Sequence, residues 1–470
     1  MKLRLTLLLS FLTFVCSAQS LTQKIESAYS RFENDPQLKY AVSSLTVLHT
    51  VTGEVLFSKN GSVGLASAST LKTVTAATAY HMLKPDFTWQ TTLGYTGTIS
   101  KSGVLNGDVI ITGGGDPTLG SWRYDKTKSY EIFNVFVDAI RKAGIRQIKG
   151  RIIADDRLFG TQTLPVGWIW QDIGNYYGAG PNALSWRENQ FDMIFKPGDT
   201  AGSPTTLVNI KPALSYLKII NEVKTGSPGS GDNVYAYSAP YSEIIYLRGT
   251  HGIDLKKTIS GSIPDPAFEI AFSLQDTLNK IGIKVAIPAT TARRLALDHL
   301  FEAINPTPLV TITSPPLDQV VHWFNRKSIN LYGEHLIKTL AWKFGKEATT
   351  PEGVKIMQNF WKERLGIDPD EMNVSDGSGL SPQNRITTTA MARILQSIKR
   401  EPWFNTYYES LPTYNDMRMK SGSISDVLGY TGYENSSSGI PVVFSFLINN
   451  YNGSSSAAKQ KMFKVLDTLK

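Results

Sequence analysis

The stretch Ser69-Thr70-Leu71-Lys72 opens a helix rich in small residues and places Ser69 and Lys72 one turn apart on the same face. A serine hydroxyl becomes a strong nucleophile when a neighbouring group takes its proton. A lysine can do this when burial or nearby positive charge favours its neutral form. The pair therefore predicts a nucleophile and its base. The alternative is that Ser69 only caps the helix while Lys72 points to solvent.

The order of three motifs separates this copy of the pattern from two others. The same spacing occurs at Ser215-Tyr216-Leu217-Lys218 and at Ser456-Ala457-Ala458-Lys459. Only the first copy is followed by a serine-x-asparagine, Ser328-Ile329-Asn330, and then by a lysine-hydroxyl-glycine triplet, Lys420-Ser421-Gly422. Since three motifs in order are far more specific than any one of them, we predict that the first copy forms the functional site.

The residues of the later motifs have chemical uses of their own. Ser328 can pass a proton between the base and a leaving amine, and the Asn330 side chain can hold a substrate amide. Lys420 can supply positive charge beside the nucleophile and attract a substrate carboxylate, which the Ser421 hydroxyl can bind. Gly422 lets a substrate backbone lie close to the strand. The alternatives are a helix cap for Ser328 and a solvated edge position for Lys420.

A second triplet, Lys224-Thr225-Gly226, is the perfect form of the third motif. We expect it to have no catalytic role, because it comes before Ser328 in the chain. It also precedes the Gly/Ser/Pro-rich residues 227–231, whose composition is typical of a loop rather than of a straight edge strand. The imperfect triplet at Lys420 is therefore the predicted one.

Composition limits the classes of protein that this chain can belong to. Its 470 residues are 41% hydrophobic and 19% charged, which is typical of a globular protein. Cys16 is the only cysteine, so neither disulfides nor a thiol nucleophile are expected once the predicted leader described below is removed. The six histidines show no metal-ligand spacing. We predict neither a metal site nor a cofactor.

The first residues bear on localisation. Lys2 and Arg4 precede an apolar run from Leu5 to Val15, and small residues follow at Cys16-Ser17-Ala18. This pattern predicts a signal peptide over residues 1–18, and hence a protein secreted across the inner membrane that is periplasmic or associated with the cell wall. A lipoprotein anchor on Cys16 is the alternative.

Charge and apolar patterning bear on partners. No later apolar run is long enough to span a bilayer, and an amphipathic closing helix leaves at most a peripheral membrane association. Basic residues exceed acidic ones by eight but are scattered, which argues against nucleic acid and fits an anionic polymer such as a cell wall. The sequence makes no prediction of the oligomeric state.

With these motifs the chain resembles the S13 family of penicillin-recognising serine DD-peptidases, the penicillin-binding protein 4 type of D-alanyl-D-alanine carboxypeptidase and endopeptidase. Further stretches carry the resemblance: residues 113–119, Asp155-Asp156, residues 167–178 and residues 376–381. The family usually has threonine where Ser421 stands. Because serine keeps the hydroxyl, we expect function to survive this departure.

The resemblance implies an α+β fold. Residues 19–84 and 306–470 are expected to form a discontinuous β-lactamase/transpeptidase-like domain, an antiparallel sheet flanked by helices. Residues 85–305 are expected to be a large multi-part insertion of smaller α+β and β domains, divided into two subdomains.

The resemblance also implies roles for matched residues. Ser69 would be the nucleophile, Lys72 the base, and Ser328 with Asn330 the proton relay and positioning pair. Lys420 would be catalytic, and the substrate-binding residues would be Ser421, Gly422, Ser423, Trp168, Asp172 and Tyr176. An oxyanion hole would come from the backbone N–H groups of Ser69 and Ser423. For the three insertion residues, packing within the insertion is the alternative to contact with the stem peptide.

The implied function is that of an exported serine DD-peptidase that hydrolyses D-alanyl bonds of peptidoglycan stem peptides through a Ser69 acyl-enzyme. Its action would be that of a carboxypeptidase, an endopeptidase or both, and β-lactam antibiotics would be covalent inhibitors. One alternative is a serine β-lactamase, although the Glu-x-x-Leu-Asn signature of the commonest class is absent between the first two motifs. The other is a non-catalytic peptidoglycan-binding protein, which would be expected to have lost catalytic residues.

Overall fold

The computed structural model describes residues 21–300 and 305–470, so the signal peptide predicted over residues 1–18 lies outside the described residues. The chain packs as two compact units. The first comprises the described residues up to Pro85 together with Val321–Ile329 and Gly353–Lys470, and the second comprises Asp86–Val320 and Asn330–Glu352. The domain boundaries drawn from the sequence place residues 306–320 and 330–352 differently, and they stay a prediction.

The first unit is built on a six-stranded antiparallel sheet. In spatial order its strands are Val55–Lys59, Val42–His49, Pro441–Asn449, Val427–Asn435, Met417–Ile424 and Thr413–Tyr414. Val47 lies opposite Phe444, and Phe444 lies opposite Gly432. The chain ends therefore meet in the middle of one sheet.

An apolar core covers one face of this sheet. A helix over residues 21–33 and the helix Ser455–Leu466 supply one side of that core, and alternate residues of the strands supply the other. Tyr29, for example, packs against Phe57 and Phe446 with ring centroids 5.4 and 6.0 Å apart.

The opposite face of the sheet is covered by the helix Thr388–Ser397. Its Thr388 hydroxyl is hydrogen-bonded to those of Ser44 at 2.6 Å and Thr46 at 2.9 Å. These buried hydroxyls are hydrogen-bond partners for one another on the face of the sheet that lies opposite the apolar core.

The small-residue helix Lys72–Leu83 is buried on nearly all sides, which threonine and alanine side chains allow. The Trp361 indole nitrogen donates to Thr78 Oγ1 at 2.8 Å, and the Tyr407 hydroxyl donates to the Thr73 carbonyl at 3.0 Å. The helix is thus fixed to its neighbours, Thr350–Leu365 and Phe404–Ser410.

The second unit contains two sheets that share a core with two helices. Strands Thr290–Thr291, Ile152–Asp155, Val109–Thr112, Gln90–Tyr95 and Thr307–Thr313 form one sheet, and Lys284–Val285, Gln147–Ile148, Val104–Asn106 and Thr98–Ile99 form the other. The helices Ser129–Lys142 and Pro266–Lys280 turn their apolar faces into this core.

Two further sheets of the second unit enclose a smaller core. One has the strand order Thr206–Lys211, Gln190–Lys196, Ile259–Ser262. In the other, Ile244–Gly252 pairs with Lys218–Asn221, Lys224–Gly226 and Asp232–Tyr237. Shorter helices of this unit are Trp170–Ile173 and Ala292–Leu297, and the longer Asn330–Lys343 belongs to it too.

Residues 227–231 form no strand, as their composition predicts, but the triplet Lys224-Thr225-Gly226 before them does, so the expectation that this triplet lacks a strand is wrong. The residues of the triplet pair in parallel with residues 250–252, and the Thr225 N–H donates to the Ser203 carbonyl at 2.8 Å. Burial of Thr225 and Gly226 outweighs the loop-forming composition of the residues that follow.

The helices described within residues 21–300 and 305–470 include none that is long and apolar enough to cross a membrane.

Candidate active site

Ser69 and Lys72 are brought into contact by a tight turn rather than by the α-helix that the sequence predicted. Ser69 lies in the 3₁₀ turn Ala68–Leu71, and the α-helix begins directly after it at Lys72. The Lys72 Nζ donates to Ser69 Oγ at 2.9 Å. Lys72 is fully buried and Ser69 half-buried. The alternative of a solvated Lys72 is therefore wrong.

Polar and aromatic groups of the first unit surround the buried Lys72 amine. Its Nζ also donates to the Ser378 carbonyl at 2.6 Å and lies 5.8 Å from the centre of the Phe324 ring. A buried amine is tolerated only where such acceptors replace water. The Ser378 carbonyl is a functional group that the sequence analysis did not single out.

Lys420 is also buried, so the alternative of a solvated edge lysine is wrong. It lies on the strand Met417–Ile424, and its Nζ donates to Ser328 Oγ at 3.0 Å and to the Ser421 carbonyl at 2.7 Å. Burial first, and the charge of Lys72 second, hold the pKa of Lys420 well below its usual range. Two lysines of like charge thus lie near each other, and the neutral form of Lys420 is favoured.

Ser328 occupies the link between the helices Leu317–Lys327 and Asn330–Lys343. Its backbone has a φ of 55°, the left-handed region that non-glycine residues rarely adopt. In this conformation the half-buried Ser328 hydroxyl accepts the Lys420 hydrogen bond. The structure therefore brings Ser69 together with Lys72, and Ser328 together with Lys420.

Gly422 lies where the strand passes the Ser69 turn. A Cβ atom at Gly422 would lie 2.7 Å from the Ser67 carbonyl oxygen and 2.9 Å from the Ser69 amide nitrogen. This close approach of two backbones requires glycine, which is a packing reason additional to the predicted approach of a substrate. On either side of it Ser421 is half-buried and Ser423 is exposed.

A hydrogen-bonded loop over residues 376–384 holds the Ser378 carbonyl. The Asp376 side chain accepts hydrogen bonds from the Gly379 and Ser381 amides, each at 2.7 Å, and from the Asn384 side chain at 2.8 Å. Gly379 has a φ of 83°, and a Cβ there would overlap the Ala68 carbonyl. The loop therefore packs closely against the Ser69 turn.

The remaining predicted residues belong to the second unit. The Asn330 side chain donates to the Tyr177 carbonyl at 2.8 Å, and the Tyr177 hydroxyl donates to Asp172 Oδ1 at 3.1 Å. Burial raises the pKa of Asp172, and the Tyr177 hydrogen bond opposes this shift. Trp168 is buried, whereas half of the Tyr176 surface is exposed. Asn330 and Asp172 thus meet at Tyr177, a residue that the sequence analysis did not select.

Residues 21–300 and 305–470 contain no group of three or more histidine, cysteine or acidic side chains arranged to hold a metal ion.

Comparison with known proteins gives the family. The model of the D-Ala-D-Ala carboxypeptidase 3 (S13) family matches residues 22–469. The chain belongs to this family. The predicted S13 membership is thereby confirmed, and with it the predicted enzyme class of a serine-type D-Ala-D-Ala carboxypeptidase.

Individual S13-like proteins resemble the chain over nearly its whole length. It is 26% identical to a D-alanyl-D-alanine carboxypeptidase of Actinomadura sp. (strain R39), with 92% of this chain and 82% of that protein covered. The crystal structure of penicillin binding protein 4 from Haemophilus influenzae is 19% identical, with a TM-score of 0.76, and 96% of this chain and 98% of that one are covered. The same protein complexed with a novel β-lactam gives a TM-score of 0.71 at the same identity and coverage. The predicted α+β fold class is confirmed by this likeness.

Proposed function

We propose that this chain is an exported serine DD-peptidase that hydrolyses D-alanyl bonds of peptidoglycan stem peptides through an acyl-enzyme on Ser69. The observation that carries the proposal is the 2.9 Å contact between the Lys72 amine and Ser69 Oγ, made by a fully buried lysine. Membership of the S13 family supports the substrate class. Export rests on the sequence of residues 1–18.

Acylation begins when Ser69 Oγ attacks the carbonyl carbon of a D-alanine residue. The hydroxyl proton passes to Lys72 Nζ, and the carbonyl electron pair moves to oxygen, where we assign the Ser69 and Ser423 amides as donors. When this intermediate collapses, the C–N bond breaks and the departing amine takes a proton. Ser328, in contact with Lys420, is placed in the proposal as the relay that returns the proton.

Deacylation completes a hydrolysis. Water attacks the carbonyl carbon of the Ser69 ester, and the bond between this carbon and Ser69 Oγ breaks. The proton that the water loses is delivered to Ser69 Oγ, and the shortened peptide leaves with a new carboxyl group. A terminal D-alanine as the leaving group makes the reaction a carboxypeptidase step, and a cross-linked D-alanyl amine makes it an endopeptidase step.

Recognition of the substrate carboxylate is assigned to Lys420 and Ser421. Burial and the Lys72 charge favour a neutral Lys420. A carboxylate near it would favour the charged form, because an opposite charge stabilises the ammonium. For Asn330, Gly422, Trp168, Asp172 and Tyr176 the proposed contacts with substrate rest on motif position and family resemblance.

β-Lactam antibiotics are proposed covalent inhibitors that acylate Ser69. A crystal structure of the similar Haemophilus influenzae protein is a complex with a β-lactam, which supports this assignment. We expect the penicillin acyl-enzyme to hydrolyse slowly compared with stem-peptide turnover, since the chain lacks the deacylation-base signature named above.

The test uses the purified protein, incubated separately with a labelled penicillin and with purified muropeptides and analysed by mass spectrometry. We expect the label on Ser69, loss of one D-alanine or cleavage of a cross-link in the muropeptides, and neither reaction in Ser69→Ala. Label on Ser215 or Ser456 would overturn the assignment. Rapid multiple-turnover hydrolysis of penicillin would favour a β-lactamase instead, and binding without cleavage would favour a wall-binding protein.

A further inference from the structure

The feature that the proposed reaction leaves unexplained is the buried carboxylate of Asp376. It is fully buried, it lies in the first unit, and its two oxygens accept hydrogen bonds from the Gly379 amide, the Ser381 amide and the Asn384 side chain. Burying a carboxylate is costly unless its lone pairs are occupied in this way. Such an arrangement fixes a loop in one conformation.

The loop is fixed to the same elements that carry Ser69 and Lys72. The Thr75 hydroxyl, one turn along the helix from Lys72, donates to the Gly377 carbonyl at 2.7 Å. On the other side, the left-handed Gly379 packs its backbone against the Ala68 carbonyl. The carbonyl of Ser378, between these two anchors, is thereby aimed at the Lys72 amine at 2.6 Å.

This carbonyl matters because of what a lysine must do to act as a base. A neutral amine has two N–H bonds and one lone pair. When one N–H is directed to Ser378 O, rotation of the amine is restricted and the lone pair can face the Ser69 hydroxyl. After proton transfer the amine is an ammonium, and its hydrogen bond to the same carbonyl becomes charge-assisted and stronger. An interaction that strengthens as charge develops lowers the barrier.

We propose that Asp376 is a positioning residue for acylation: it holds the Ser378 carbonyl where that carbonyl orients neutral Lys72 toward Ser69 and stabilises the ammonium formed when Ser69 is deprotonated. The inference rests on the proposed function, since it requires Lys72 to be the base for Ser69. Asp376 itself touches no reacting atom in this scheme and acts through the loop.

Three variants separate this role from general stabilisation. Asp376→Ala removes the carboxylate and with it the hydrogen bonds described above, and Asp376→Asn keeps a similar shape with fewer acceptors. Leu380→Ala is the matched control, because it deletes a buried side chain of the same loop while leaving the Asp376 carboxylate and the Ser378 carbonyl in place. Each variant is compared with the wild type in the rate of acylation by a fluorescent penicillin, measured against pH, and in its thermal unfolding midpoint.

The pH profile is the readout that a purely structural role would not move. Three ionisable groups of the first unit bear on Lys72. Lys420 interacts with it electrostatically, the Asp376 carboxylate holds the loop whose carbonyl accepts from it, and the Tyr407 hydroxyl donates to its helix at the Thr73 carbonyl. The Ser378 carbonyl accepts a hydrogen bond from the Lys72 ammonium and so favours its charged form. When the loop no longer holds this carbonyl in place, the neutral form of Lys72 is favoured. The acidic limb of the acylation profile is expected to move to lower pH in Asp376→Ala, even as the maximum rate falls.

We expect Asp376→Ala to lower the maximum acylation rate by roughly tenfold or more, the usual scale for a lost supporting residue, with Asp376→Asn intermediate and Leu380→Ala close to the wild type. An acidic limb that stays in place in Asp376→Ala would overturn the inference, as would a Leu380→Ala variant as slow as Asp376→Ala. Either outcome leaves the proposed function standing, provided that Ser69→Ala still abolishes acylation. Acylation of Ser69→Ala would instead remove the proposed function itself.

Discussion

At the scale of single residues, the protonation states of Lys72 and Lys420 are coupled, because a charge on one amine disfavours a charge on the other. Both are buried in the first unit, and the charge of Lys72 helps to lower the pKa of Lys420. Each amine has its own hydroxyl partner, Ser69 for Lys72 and Ser328 for Lys420. In the proposed reaction, a substrate carboxylate would favour the charged form of Lys420, and the charge of Lys420 would in turn favour the neutral Lys72 that accepts the Ser69 proton.

Replacing Lys420 by alanine tests how much its buried amine contributes to the rate of acylation. Lys420→Ala removes the buried amine, leaves Ser328 Oγ without this donor, and should lower the rate of acylation by penicillin by roughly 10², the scale expected when an electrostatic contributor to a catalytic site is lost. Lys224→Ala is the matched control, because Lys224 begins a perfect lysine-threonine-glycine triplet in the second unit. It should acylate at the wild-type rate. The reverse order of effects would contradict the motif assignment.

At this scale the sequence could predict those site residues whose side chains carry the chemistry. Spacing together with the order of the three motifs predicted that Lys72 serves Ser69, and the two side chains are in contact. It could not single out the Ser378 carbonyl, because every residue has a carbonyl and only the fold decides where one points. Likewise, the need for glycine at 422 comes from the Ser67 and Ser69 backbones passing close by, which no local pattern reveals.

At the scale of elements, strand formation is clearest in the sequence where β-branched and aromatic residues make long runs. The central strands Val427–Asn435 and Pro441–Asn449 are of this kind. The start of the small-residue helix was misplaced, since Ser69 lies in a 3₁₀ turn before it. Short strands such as Lys224–Gly226 depend on a partner far away in the sequence, so composition misjudged them.

The helix Asn330–Lys343 provides a test of stability against pH. Its buried His335 donates from Nδ1 to the Gly115 carbonyl, and its Nε2 is hydrogen-bonded to the Ser185 hydroxyl, both at 2.8 Å. Burial, the largest cause, lowers the pKa of His335 to about 3. As pH falls below the usual histidine pKa, the unfolded chain gains a proton that the folded chain does not, so stability falls.

For this one group we expect the free energy of unfolding of the second unit to drop by about 2 kcal/mol between about pH 7 and about pH 5. The unfolding midpoints of wild type and His335→Gln, measured at both pH values, isolate the effect, because the variant keeps the acidic groups of the unit. The wild type should lose more stability on acidification than the variant does. Equal losses would show that His335 is not neutral in the folded protein.

At the scale of the whole molecule, the second unit is larger than the transpeptidase-like fold requires and contains neither Ser69 nor Lys72. We therefore expect it to influence substrate choice. Tyr176→Ala, at a half-exposed aromatic side chain, should lower kcat/KM for natural muropeptides by roughly tenfold while changing acylation by a small β-lactam little. Trp168→Ala should act in the same direction, with an added cost in stability because Trp168 is buried.

Trp122→Ala is the control for this experiment, since Trp122 is an exposed tryptophan of the same unit outside residues 167–178. It should leave both reactions unchanged. If Tyr176→Ala affected muropeptide and β-lactam equally, or affected neither, the aromatic side chains of this segment would have a packing role only.

The strand Pro441–Asn449 lies between Val42–His49 and Val427–Asn435, so it joins the two ends of the chain in one sheet. A polypeptide emerging from the ribosome amino end first presents Ser69 long before it presents this strand. Until this strand is available the sheet cannot close. We therefore expect the proposed nucleophile to become reactive only once the whole chain can fold, and a prematurely terminated product to carry Ser69 as an ordinary alcohol.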